Sequence, residues 1–278
     1  MKPTPKVLVI SGSDSSGGAG MQADIRTLES IGVRGVYAVT AVTAQNSTSV
    51  AGVMPVSKDL LGLQIDLAAA DQSVAAAKLG MLATAENAAV VADRMRAGDI
   101  PDAIVDPVLS SSSGDSLISE KGVEAYRELL IPNTYILTPN IPEAELLTGT
   151  IISNVDGMID AAMKLRAMGA EIVIVKGGHA GWETWEADVS PDAPVVVDIV
   201  VGLNGVSGSS LQPLSTGVTR LVSPRLQAAA VRGTGCTFSS AIAGYIARGH
   251  PVNEAIIAAK KYVTQYIARH GYLPDGAT

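Results

Sequence analysis

Along most of the chain, short β-branched runs alternate with longer stretches of helical period, and this alternation limits the available folds more than any other feature. The spacing predicts strands over Lys6–Ser11, Val36–Val42, Val74–Leu79, Ala103–Val108, Thr134–Thr138, Glu171–Lys176 and Val195–Val200. Helical patterns fill the gaps: Met21–Ile31, with Met21, Ile25 and Leu28 on one face, then Leu60–Ala70, Ala85–Ala97, Glu120–Leu130, Glu143–Thr148 and Asp156–Met168. Phe238, Ile242 and Tyr245 mark a further helix, and Glu254–Arg269 is the last. Strands and helices in this order build βαβ units, so the expected class is α/β: three layers, αβα, around a mostly parallel central sheet. With 47% hydrophobic and 17% charged residues the chain can bury a large core, which excludes disorder as its main state. No linker divides it, so residues 1–278 read as one domain. Gly202–Thr219 stands apart, rich in Gly and Ser with no strong period; it reads as a flap or insertion within 180–231.

Charge and rare residues exclude several functions. Twenty Lys and Arg against 27 Asp and Glu give a net charge of −7, which is not the footprint of a nucleic-acid binder. The one cysteine, Cys236, cannot form an intrachain disulfide, and His179, His250 and His270 are too scattered for a histidine metal site. The apolar run after Lys6 is too short for a signal-peptide core, and no stretch nears the roughly 18 apolar residues of a membrane helix. The expectation is a soluble cytoplasmic protein with no membrane partner.

In open parallel sheets, ligands bind beyond the carboxyl ends of the strands. Here those ends carry SGSDSSGGAG, TAQN, GM, DPV, TPN and KGGH, more polarity and glycine than a scaffold needs. The Gly12–Gly20 loop allows close approach of backbone to a ligand, although it also suits an ordinary β-to-α turn. It is not a dinucleotide fingerprint, since Ala23 stands where a third glycine belongs, and no P-loop motif occurs. Gly233, Thr234 and Gly235 open a helix whose exposed N–H groups suit a phosphate. Cys236 follows in the first turn, where the helix dipole would lower its pKa and let it accept a proton; the plain alternative is a small buried apolar residue. Lys176 ends a strongly apolar strand and needs an anion or a carboxylate. Asp106, Asn140 and Glu143, also at strand ends, suggest magnesium, with a turn at Asp106–Pro107 and a helix cap at Asn140 as the simpler readings. Gln45 offers a paired donor and acceptor for a heterocycle edge. Lys260 and Lys261 would by themselves be a solvated helix face.

Taken in order, GSDSSGGAGMQAD, TAVTAQN, KLGM, DPV, TPNIPEAE, VKGGH, RGTGCT and AKKYV resemble the hydroxymethylpyrimidine/phosphomethylpyrimidine kinases of the ribokinase-like superfamily, from about Val7 to Val263. That resemblance implies transfer of the ATP γ-phosphoryl to 4-amino-5-hydroxymethyl-2-methylpyrimidine and then to its monophosphate, in thiamine biosynthesis. It implies that Gln45 binds the aminopyrimidine edge and that Gly12, Asp24, Met81 and Val108 line the pocket. Asp106 and Glu143 would organise Mg2+, and Asn140, Lys176 and Lys260 would serve the nucleotide. Gly233, Thr234 and Gly235 would form the anion hole, and Cys236 would stand where most ribokinase-like enzymes carry an aspartate base. Relatives are often homodimers. Pyridoxal kinase activity on the same fold and a catalytically inactive pyrimidine binder are the competing readings. The chain departs from the family pattern at Arg232 (usually histidine), at Ser16 (usually glycine) and through His179–Val231, where Asp188 and Asp198 both compete for the family's strand aspartate.

Overall fold

The computed structural model describes residues 4–70, 74–110, 117–178, 194–203, 211–215, 217–226 and 231–271. Its strands are β1 (Lys6–Asp14), β2 (Arg34–Gln45), β3 (Val50–Pro55), β4 (Val74–Leu79), β5 (Ala103–Val105), β6 (Ile136–Leu137), β7 (Ile172–Val175), β8 (Val195–Val201), β9 (Leu211–Ser215) and β10 (Val218–Pro224). The helices are α1 (Gly20–Ile31), α2 (Lys58–Ala70), α3 (Ala85–Ala97), α4 (Glu120–Ala125), α5 (Ile141–Thr148), α6 (Val155–Ala167), α7 (Thr234–Ala247) and α8 (Val252–His270). All ten strands join one sheet in the order β3-β2-β1-β4-β5-β6-β7-β8-β10-β9. Pairing is parallel from β2 through β1, β4, β5 and β6 to β7, and antiparallel at both flanks.

Burial on both faces explains the unbroken apolar runs. Along β1, Leu8 and Ile10 enter one core while Val7 and Val9 enter the other, all at 0% exposure. Each such side chain contributes about 1.5–3 kcal/mol. Helices α2 to α6 cover the first face and α1, α7 and α8 the second, which gives the expected αβα layers.

Three strands depart from the expectation. The β3 segment carries Gly52 and Pro55 and is mostly exposed, so it lacks the buried alternation that reveals a strand. The Gly202–Thr219 segment, expected to be a flap, contains β9, and β10 follows directly as its antiparallel partner. Pro213 and the polar outer face of β9 disguise an edge strand as a loop. The helix expected over Glu120–Leu130 changes to a wider π turn at Tyr126–Leu130. That change coincides with Tyr126, which is fully buried and whose hydroxyl donates to the Gly80 carbonyl at 3.3 Å.

Candidate active site

Six parallel strands end on one side of the sheet, and each delivers one of the expected residues there: Gly12 from β1, Gln45 from β2, Met81 after β4, Asp106 after β5, Asn140 after β6 and Lys176 after β7. The last two are in register, since Asn140 and Lys176 form a parallel bridge and the Lys176 N–H donates to the Pro139 carbonyl at 2.8 Å. The Lys176 ammonium donates to Asp106 Oδ1 at 2.8 Å. Burial opposes its charge, but the carboxylates of Asp106 and Glu143 outweigh that and hold its pKa up.

Helix α7 begins directly beneath this pair. A Cβ placed on Gly235 would lie 3.2 Å from Lys176 Nζ and 3.4 Å from Asp106 Oδ2. The entry needs glycine: Gly233 has a left-handed φ of 74°, and a Cβ there would strike the Gly18 carbonyl. In the same way Gly20 (φ 57°) brings the first loop within 2.6 Å, measured from a Cβ to the Gly12 carbonyl. Side chains of Thr84, Ser119, Asn140 and Asn154 cap α3, α4, α5 and α6, but α1 and α7 open without one, as does α8 at Pro251. The leading N–H groups of α7 therefore face the site with a partial positive charge.

Asn140 is a helix cap as well as a strand tip. Its Oδ1 accepts the Glu143 N–H at 2.9 Å, and Glu143 Oε2 accepts the Asn140 N–H at 2.8 Å, a full capping box. Burial pushes Glu143 up to about 7; Lys176 and the Asn140 N–H pull it down and Asp106 pushes it further. The unfolded chain releases that proton from about pH 4.5, so this group's contribution to stability is present below pH 4.5 and lost as pH rises through 7. Unfolding midpoints across that window should therefore decline for wild type relative to Glu143→Gln; parallel curves would contradict the raised pKa.

Magnesium meets a mixed donor set. Among the described residues, no cluster of three or more His, Cys, Asp or Glu forms a cage. Two buried carboxylates, Asp106 and Glu143, do face the Lys176 ammonium; burial is the main reason Glu143 is pushed to hold a proton, and the charge of Asp106 adds to it. Mg2+ is commonly held by one or two carboxylates with substrate phosphates, so these residues fit a cation that arrives on a nucleotide.

The pocket side is built from the first loop. Asp14 accepts the Ser16 N–H and hydroxyl at 2.8 and 2.7 Å, the Ala19 N–H at 2.8 Å, and the Gln45 side chain. Burial raises its pKa, but these hydrogen bonds more than offset that and leave it lowered. Met81 packs against Gly12, and the Thr40 hydroxyl fixes its carbonyl. Val108 is half-buried beyond Asp106, whose carbonyl accepts the Val108 N–H at 2.8 Å, so the simple turn at Asp106–Pro107 is present too.

Several expectations need correction. Asp24, expected to line the pocket, has 0% exposure and is locked in a buried pair with Lys78, Oδ1 and Oδ2 lying 2.9 and 3.0 Å from Nζ; Ser240 donates to Oδ1 at 2.7 Å. Cys236 does not have a lowered pKa. Burial pushes the thiol up to about 12, and the help it receives from Lys78 and the Gly20 N–H does not offset this. Lys260 does not lie on a solvated face: it donates to Asp198 Oδ2 at 2.6 Å, while Asp198 Oδ1 accepts the Gly177 N–H at 2.9 Å. Of the two candidates for the strand aspartate, Asp198 lies buried in β8; Asp188, like His179, lies outside the described residues. Lys78 is the fully buried partner of Asp24; its signal in the sequence is a lysine inside an apolar strand, since only a buried carboxylate makes that tolerable.

The sequence pattern described as phosphomethylpyrimidine kinase matches residues 14–277. The chain is 38% identical to the hydroxymethylpyrimidine/phosphomethylpyrimidine kinase of Bacillus subtilis, over 94% of this chain and 89% of that one. It is 39% identical to a thiamine biosynthesis bifunctional protein of Geobacter sulfurreducens, where the match takes 95% of this chain but only 49% of the longer protein. The crystal structure of phosphomethylpyrimidine kinase from Clostridium difficile superposes with a TM-score of 0.76 at 35% identity, covering 95% of this chain and all (100%) of that one. A pyridoxal kinase from Staphylococcus aureus, in complex with AMP-PCP and pyridoxal, superposes with a TM-score of 0.77 at 29% identity over 99% of this chain and 91% of that one.

Proposed function

The chain belongs to the phosphomethylpyrimidine kinase family of ribokinase-like enzymes, and from that premise we propose how its site performs the reaction. The protein is an ATP-dependent phosphotransferase of thiamine biosynthesis. It phosphorylates the hydroxymethyl group of 4-amino-5-hydroxymethyl-2-methylpyrimidine and then the monophosphate so formed. One observation carries the site assignment: Lys176, Asp106 and Asn140 meet above the uncapped start of α7.

Phosphoryl transfer of this kind depends on positioning and charge stabilisation more than on a strong base. Lys176 neutralises charge on the transferring group, and the N–H groups of Gly233, Thr234 and Gly235 hold its oxygens. Asn140 stays fixed by its capping box at the nucleotide side. Asp106 and Glu143 would hold Mg2+, which supplies neutralising charge at the nucleotide phosphates when bound. Gln45 reads the ring edge, and Gly12, Met81 and Val108 form its apolar wall. Asp24 supports that wall from below through Lys78 and Ser240. Lys260 acts through Asp198, which holds the turn after Lys176 in place. Burial works against ionisation of the Cys236 thiol, so we assign it, from its place in the first turn of α7, the orientation of the attacking hydroxyl rather than its outright deprotonation. Cys236→Ala should lower kcat on the order of 10²-fold while substrate affinity changes far less; a near-normal kcat would reduce Cys236 to packing.

Turnover of a substrate panel with ATP and magnesium tests the function. Phosphorylation of the pyrimidine alcohol is expected; phosphorylation of pyridoxal alone would overturn the reading, and tight pyrimidine binding without turnover would make the chain a binder. Exposed apolar side chains at Val42, Val53, Met54, Leu60, Leu63 and Leu67 support a homodimer. Among the described residues no helix is long and apolar enough to cross a membrane. The lone buried cysteine suits a reducing cytoplasmic setting.

A further inference from the structure

We propose that Arg232 is a specificity residue for the second transfer, holding the phosphate of the phosphorylated acceptor beside the start of α7. This rests on the kinase reading above and concerns which acceptor the site prefers. Arg232 immediately precedes Gly233, and its Nη1 lies 3.3 Å from where a Cβ on Gly18 would sit, so the guanidinium lies against the residue whose carbonyl packs on Gly233. Two hydrogen bonds fix one corner of it: Nη1 donates to the Ser16 hydroxyl and to the Asn46 carbonyl, both at 2.8 Å. These contacts tie the first loop and the loop after Gln45 to the α7 entry, and they set the guanidinium before a ligand arrives.

The opposite edge is not committed in the same way. Nε and Nη2 present the two parallel N–H donors that match a phosphate or carboxylate. Among the described residues, Nε is buried without a hydrogen-bond partner and Nη2 has only a long 3.5 Å contact to Asp14 Oδ2. Asp14 does not need the arginine, because the Ser16 N–H and hydroxyl, the Ala19 N–H and the Gln45 side chain already satisfy its carboxylate. A neutral alcohol gives this edge nothing. A phosphate beside the Gly233–Gly235 turn, on the Gly18 side and clear of the transferring group, gives it a charge-assisted partner, and the guanidinium offsets the repulsion between that phosphate and Asp14.

The test is the ratio of kcat/KM for the monophosphate to kcat/KM for the alcohol, measured on wild type, Arg232→Gln and Arg232→Lys. Arg232→Gln should lower the monophosphate value about ten- to hundredfold, the loss of a charge-assisted contact, and leave the alcohol value within about twofold. Arg232→Lys, which keeps the charge and loses the fork, should fall between. An equal loss on both acceptors would make Arg232 a loop clamp, and an unchanged ratio would remove it from acceptor choice; either overturns the proposal. If Arg232→Gln does not fold, the ratio in Arg232→Lys decides. Wild type inactive on both acceptors would sink the kinase reading itself, a result distinct from an unchanged ratio.

Discussion

Lys176→Gln is expected to reduce kcat by about 10²–10³-fold, the loss typical of removing one preorganised group that stabilises transition-state charge. The side chain is 16% exposed and its ammonium is 2.8 Å from Asp106, directly over the glycine turn that opens α7. Of the other lysines with little exposure among the described residues, Lys260 is held by Asp198 and Lys78 by Asp24. Glutamine keeps hydrogen-bonding capacity toward Asp106 but not the charge, so KM for the nucleotide should rise less than kcat falls. Steady-state kinetics separate the two. A variant with normal kcat and a large rise in KM would place Lys176 in ground-state binding alone.

Lys78→Met is expected to have the largest effect on stability. Lys78 and Asp24 both have side chains at 0% exposure, and both carboxylate oxygens lie within hydrogen-bonding distance of the ammonium. Burial pushes the Asp24 pKa up despite Lys78; burial is also the largest influence on Lys78 and works against its charge, but Asp24, Cys236 and Asp106 together outweigh it and hold its pKa up. The contact from both oxygens favours the ionic form of the pair. Removing one partner leaves a buried charge alone, at a cost of about 3–5 kcal/mol. Chemical denaturation should show that loss in Lys78→Met, and the double variant Lys78→Met/Asp24→Leu should recover a large part of it. A single variant as stable as wild type would mean that Asp24 is neutral in the fold. The pair also touches function, because Ser240 links Asp24 to α7 one turn beyond Cys236.

Much of the site could be read in the sequence because it consists of strand tips. An apolar strand such as Ile172–Val175 that ends in Lys176 announces both its burial and the need of its last residue for an anion. Asn140 and Glu143 could be read as a cap and as a site, and the structure makes the cap explicit. What escaped depends on residues far apart in the chain. Arg232 reaches Ser16 across 216 positions and Asn46 across 186, and no local pattern reports such contacts. The thiol of Cys236 went the other way for a related reason: the helix dipole is a local effect, whereas its burial comes from α1 and β4 packing around it, and burial is the larger influence. Edge strands β3 and β9 were hidden by their own exposure, since period-two alternation needs a buried face to be visible.

The central claim is that one cleft, lined by the tips of β1, β2, β4, β5, β6 and β7, receives both acceptors in turn. Its most direct test is inhibition kinetics of alcohol phosphorylation in the presence of the monophosphate, with product formation followed by 31P NMR. The monophosphate is expected to compete with the alcohol and to be converted itself to the diphosphate. Non-competitive inhibition, or transfer to the alcohol that proceeds undisturbed at saturating monophosphate, would contradict it.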